Sequence, residues 1–151
     1  AAETLSYWMK RVLEIKGEDA AAIVMGDFND EPFNRSMLEY ALSSHSRARV
    51  MRADTPRLYN LMWGLMGQGI ASHYYSNFPN MLDQMLVSRG FLQNDSVFTV
   101  DEQSATIIRF PEMVATGLYP TPRRFSRPSE KLDRDGFSDH FPIAVMISEA
   151  T

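Results

Sequence analysis

Apolar positions recur with a helical period at the start of the chain and merge into an unbroken apolar run soon after. Leu5, Trp8, Met9, Val12 and Ile15 are spaced by three and four, with Leu13 at the edge, while Lys10, Arg11, Glu14 and Lys16 take the other side. That period predicts a helix over residues 4–16, stopped by Gly17. Residues 20–25 are apolar throughout and are expected to form a strand buried on both faces. Glu31-Pro32 then opens a second helix over 34–43, with Met37, Leu38, Ala41 and Leu42 as its apolar stripe. Helix, buried strand, polar turn, helix is an α/β pattern.

The middle of the chain is less regular. Leu58, Leu61, Met62, Leu65 and Met66 are near helical spacing, but glycines interrupt them, so 57–69 reads as a short helix or a packed loop. Residues 70–76 contain a strand with adjacent Tyr74 and Tyr75. Residues 80–88 alternate: Met81, Asp83, Met85 and Val87 share one face, and Leu82, Gln84, Leu86 and Ser88 the other. Another short strand is read at 97–100, and a last one at 141–148. Between them, 111–136 carries four prolines and a basic run of Arg123, Arg124, Arg127, Lys131 and Arg134. A long irregular segment within one domain is usually functional or mobile.

Composition narrows the function classes. With 151 residues, one domain is expected, and 44% hydrophobic residues suffice for a core. A net charge of −4 does not point to a polyanionic partner, although basic residues clustered locally can still meet phosphates. The absence of cysteine excludes disulfides, thiolate zinc sites and cysteine nucleophiles. No apolar run approaches the roughly 20 residues that span a bilayer. The chain begins at Ala1 rather than Met, which reads as a trimmed or processed chain or a fragment, so location is not read from this end.

Three places carry candidate chemistry. Met25-Gly26-Asp27-Phe28-Asn29-Asp30 leaves the first apolar strand. If the chain stays extended, Asp27 and Asn29 share a face and Phe28 points toward packing. An acid beside an amide suits metal-assisted attack on a phosphate; an ordinary turn is the alternative. Asp83 lies among apolar neighbours, so it either has a dedicated partner or faces solvent. Ser138-Asp139-His140 stands at the entrance of the last strand, where a histidine can be a structural donor, a metal ligand or an acid–base group. His45 reads as a helix-end surface residue and His73 as a strand-start residue, neither in a catalytic context.

The order of these motifs resembles the endonuclease/exonuclease/phosphatase superfamily of DNase I-like, metal-dependent phosphoesterases, in its C-terminal half. The resemblance rests on Gly26-Asp27-Phe28-Asn29, on Leu82-Asp83-Gln84-Met85-Leu86-Val87-Ser88, where the family usually has Tyr at the position of Gln84, and on Ser138-Asp139-His140-Phe141-Pro142. It implies in-line phosphoester hydrolysis with Mg²⁺ or Mn²⁺. Asp27 would position or deprotonate the attacking water and lie at the metal, and Asn29 would hold the nucleophile or a phosphate oxygen. Asp83 would fix the tautomer of His140, His140 would stabilise the phosphate oxygens, and Asp139 would lie at the metal or organise its water shell.

The resemblance further implies a fold of α/β (α+β) class: a mixed or mainly antiparallel sheet with helices on one face, half of a four-layer αββα sandwich. Residues 1–151 would be that C-terminal half, since the family's metal-binding glutamate belongs to a first half that nothing before Asp27 can supply. Two expectations follow: the chain alone has little or no activity, and its exposed sheet face drives self-association. The substrate reading is a phosphodiester, with nucleic acid foremost. Arg123, Arg124 and Arg127 are candidate phosphate contacts, against a merely solvated loop. A phosphatase acting on a small phosphorylated molecule or lipid head group is the runner-up, and a non-catalytic interaction module with the same fold is the third reading.

Overall fold

Helix α1 (Ala2–Lys16) meets the rest of the chain through Met9 and Leu13, both buried. In the computed structural model, which describes residues 2–126 and 132–149, this contact surface is rotated from the one the spacing suggested. Leu5, Met9 and Leu13 face inward, while Trp8 is 59% and Ile15 63% exposed. Residues four apart lie on one line of a helix, and Leu5-Met9-Leu13 is the line whose side chains reach the sheet.

Strand β1 (Ile23–Asp27) follows, then a single π-helical turn, Ser36–Tyr40, where a full helix over 34–43 was expected. Asp30 accepts from Asn34 Nδ2 at 2.8 Å and from Ser36 Oγ at 2.6 Å, which fixes the start of this turn. Next come β2 (Ser43–Ser44), α2 (Arg47–Arg52), β3 (Leu58–Asn60) and α3 (Trp63–Gly67). The interrupted segment 57–69 therefore holds both a strand and a short helix. The hairpin β4 (His73–Tyr75) and β5 (Phe78–Asn80) leads into β6 (Asp83–Val87). Strand β7 (Phe98–Ile107) is far longer than the 97–100 expected, and β8 (Ile143–Glu149) closes the chain.

The strands form a mixed, mainly antiparallel arrangement, as expected for the class. One sheet has the order β1-β6-β3-β2, with only β2 and β3 parallel, and two-stranded sheets pair β4 with β5 and β7 with β8. Val24 lies opposite Leu86 in the β1–β6 register, and both join Met9, Leu13, Met37 and Leu58 beneath α1. The alternate residues Met85 and Val87 belong to a second cluster with Ala105, Ile107 and Phe141, and Ile143 and Val145 pack against it. Period-two alternation thus gives β6 an α1 side and a β7–β8 side. Its last four residues, Gln84–Val87, are buried, and each aliphatic side chain so covered contributes roughly 1.5–3 kcal/mol. Strand β1 is not covered on both faces: Met25 is 55% exposed. Among the described residues no helix is long and apolar enough to cross a membrane.

Candidate functional site

Asp83 opens β6 on its β7–β8 side, and the chain enters β8 through His140. The fold therefore delivers the two residues to one place. His140 Nδ1 and Asp83 Oδ2 are 2.6 Å apart, both side chains largely buried. Of the two readings for Asp83, a dedicated partner is the one observed. The local framework holds this pair in position. Ser72, fully buried, accepts from Phe141 N through its carbonyl and from Asp83 N through Oγ. Ser138 Oγ accepts from His140 N at 3.1 Å.

Asp27 ends β1 and lies directly across from Asp83 in the strand register. The chain does not stay extended beyond it. Gly26 has φ +146° and Asn29 φ +53°, so the segment turns. The turn still brings Asn29 onto Asp27: Asn29 N donates to Oδ1 at 2.8 Å and Asn29 Nδ2 to Oδ2 at 3.2 Å. Left-handed φ is tolerated by asparagine and costs a Cβ-bearing residue at Gly26, which explains those residue types there. Phe28 packs into the cluster under α1, as the alternation suggested. Glu31 is held away from the pair, accepting from Asn80 Nδ2 and Met81 N, each at 3.1 Å.

The pattern of the sequence missed His73. Its ring lies 4.6 Å from that of His140, centroid to centroid, and the two residues form a backbone bridge. Burial holds the His73 imidazole below its ordinary pKa, the nearby His140 adds to this, and Asp139, Asp27 and Asp83 oppose it. The bridge between His73 and His140 and the bond from Phe141 N to Ser72 O set this contact, and nothing in the spacing of 70–76 announced it. His45, by contrast, stacks against Trp63 at 4.8 Å, outside these clusters.

Two groups of metal-capable side chains share His140: Asp27, Asp83 and His140, and His73, Asp139 and His140. In each, one ligand atom per residue lies within 4.8 Å of the others. Carboxylate and imidazole donors fit a hard or borderline divalent cation. Asp27 keeps a free lone pair on each oxygen despite its bonds to Asn29. Asp139 is exposed and makes no side-chain hydrogen bond among the described residues.

The three loop arginines fare differently. Arg123 is turned to its own loop, with Nε 2.8 Å from Asp133 Oδ2 and a second nitrogen 2.9 Å from Oδ1. That hydrogen bond holds Asp133 below the usual carboxylate range. Arg124 lines an open groove of about 580 Å³ with His73, Tyr75, Phe137 and Asp139, beside the histidine pair. Arg127 lies outside the described residues.

A family model described as Endonuclease/Exonuclease/phosphatase family matches residues 1–149. No curated protein and no solved structure matches the chain. That family points to metal-dependent phosphoester hydrolysis, and its enzymes usually use divalent metals, for which both carboxylate–imidazole groups offer donors. The match spans all but the last two residues, and the chain belongs to the endonuclease/exonuclease/phosphatase family.

Proposed function

We propose that this chain carries the catalytic wall of a metal-dependent phosphodiesterase, a nuclease by preference, built on Asp27, Asn29, Asp83 and His140. The observation that carries the reading is the cross-strand Asp27–Asp83 pair with His140 bound to Asp83. Two carboxylates opposite each other in a sheet repel, and an imidazole or a cation between them offsets that cost. A site kept in this form suits chemistry at an anion.

The roles follow from the bonds. Asp83 accepts a hydrogen bond from His140 Nδ1–H, so in the protonated ring Nε2–H is the donor left for a phosphate oxygen as charge builds there. Asp27, held at both oxygens by Asn29, accepts a proton from a water aimed at phosphorus. Asp27 and Asp139 would hold Mg²⁺ or Mn²⁺, which when bound supplies charge neutralisation at the phosphate. Arg124 lines the approach to Asp139 and pairs with a phosphate oxygen of the substrate.

We further infer that these residues form one side of a larger site, the C-terminal half of the family's domain. Neither donor group contains a glutamate among the described residues, and a hard cation takes about six ligands. Exposed apolar side chains on β7 and β8 are covered by a second copy of the chain in this reading.

Two measurements on the chain test the chemistry. Mn²⁺ binding, read by electron paramagnetic resonance, is expected in the wild type and roughly tenfold weaker in Asp27→Ala. Hydrolysis of a chromogenic phosphodiester with Mn²⁺ is expected to be slow, and to fall about 10²-fold further in His140→Ala. Equal turnover in wild type, Asp27→Ala and His140→Ala overturns the phosphoesterase reading. Fast turnover by the wild type overturns the inference that the ligand set is short.

A further inference from the structure

At the far end of the main sheet from Asp83, α2 and the turn after it enclose an open groove of about 600 Å³. Arg49, Arg52 and Arg57 line it, together with Ser46, Ala53 and Asp54. Arg49 and Arg52 are three residues apart on α2 and both are exposed, so they project to one side. None of the three makes an ion pair among the described residues, whereas Arg11, Arg35, Arg47, Arg89 and Arg123 each do. The groove opposes three guanidinium groups with one aspartate, in a chain whose net charge is −4. Such a local surplus of arginine has the chemistry that phosphate recognition needs: the planar fork matches a phosphate in two bonds, and these side chains make no ion pair among the described residues.

We propose that this groove binds the phosphodiester backbone of a nucleic acid. Its distance from the catalytic residues chooses a polymer over a small phosphate. Tyr59 pairs with Val87, four residues along β6 from Asp83, and Arg57 lies two residues before Tyr59. Strand rise puts the arginines on the order of 15–20 Å from Asp83. A substrate with one phosphate cannot touch both places, but a nucleic acid strand, with a phosphate roughly every 3.4 Å of axis, spans the gap with about five. The groove reads no bases; it adds affinity and sets where along the polymer the strand lies. That the bound polymer is also the substrate rests on the phosphoesterase reading above, while the binding does not.

The experiment is fluorescence anisotropy of a labelled duplex of about 20 base pairs, titrated with the chain over a range of salt concentrations. The triple variant Arg49→Gln/Arg52→Gln/Arg57→Gln is expected to bind at least tenfold more weakly, with a salt slope shallower by about 2–3. Arg49→Gln/Arg52→Gln, altering only two side chains of α2, is expected to show about two-thirds of that change in slope, which covers any folding defect at Arg57. Unchanged affinity and slope in both variants overturn the proposal. So does a wild type that binds no duplex, or one whose arginine-dependent binding is to anionic phosphatidylserine vesicles and not to the duplex. Arginine-dependent binding, with a metal-dependent cleavage that Asp27→Ala and His140→Ala leave unchanged, keeps this groove assigned and removes the phosphoesterase reading instead.

Discussion

Where β1 ends and β6 begins, His73 carries a conflict that its neighbours resolve only in part. Its Nδ1 is buried and has no hydrogen-bond partner among the described residues, and its ring lies against another imidazole. Burial and His140 both disfavour the charged ring, more than Asp139, Asp27 and Asp83 favour it. The folded pKa therefore lies below the ordinary value of 6.5. Between those two values the unfolded chain holds more protons, so stability rises with pH across that window. The contribution is complete above the ordinary value and is lost as pH falls through the lowered folded one. His73 is expected to titrate below 6.5 when followed by its ring proton resonance. His73→Asn is expected to flatten the pH dependence of unfolding free energy below pH 6.5. A midpoint at or above 6.5, with an unchanged slope in the variant, contradicts this account.

The elements show why some of the fold was legible and some was not. Strands β1, β6 and β8 are bounded by uninterrupted or alternating apolar residues, and each lies close to where that pattern puts it. Strand β7 was read at a fraction of its length because a register shift between Asp101 and Thr106 breaks the alternation over polar residues. Ser104 Oγ bridges that break, accepting from Met146 N and donating to Asp101 O, a long-range contact no local pattern encodes. Helix α1 was legible as a helix but not in its orientation, since Trp8 and Ile15 are as apolar as Leu13. In the site, Asp27, Asp83 and His140, which motif order singled out, lie near one another in space, while His73 enters through a hairpin contact. Gln84 is a further lesson at this scale. Buried on the α1 side, it accepts from Asn60 Nδ2 at 3.0 Å and donates to Asp30 O at 2.9 Å. One side chain thus ties β6 to β3 and to the loop after Asp27, where the family usually has a tyrosine. Gln84→Leu would leave Asn60 Nδ2 buried and Asp30 O part-buried without this bond, and is expected to cost about 1–3 kcal/mol in urea unfolding. A loss under about 0.5 kcal/mol would mean that water or a shifted neighbour satisfies them.

For the molecule as a whole, the β7–β8 pair covers the main sheet on the side away from α1 and leaves apolar groups of its own in water. Met146 is 62% exposed and Ile147 45%, with Val97 and Phe98 exposed beside them at the opposite strand's start. On the other side of the chain Tyr7, Trp8 and Ile15 of α1 are exposed as well. Isolated apolar residues on a surface are ordinary, but Ile147 pairs with Val100 and so shares a face with Phe98, while Met146 points the other way, so Phe98 and Ile147 form the apolar strip. A second copy can lay the same strip against the first about a two-fold axis, since such a contact needs only one self-complementary patch. The chain is therefore expected to form a dimer at micromolar concentration in light scattering coupled to size exclusion. Phe98→Glu/Ile147→Glu places two like charges on each side of that contact and is expected to return a monomer, with the thermal midpoint of the folded chain little changed. The substitution separates this strip from the α1 surface: a dimer that survives it is held by Tyr7, Trp8 and Ile15 instead. A wild-type chain that runs as a monomer at micromolar concentration refutes self-association through either surface.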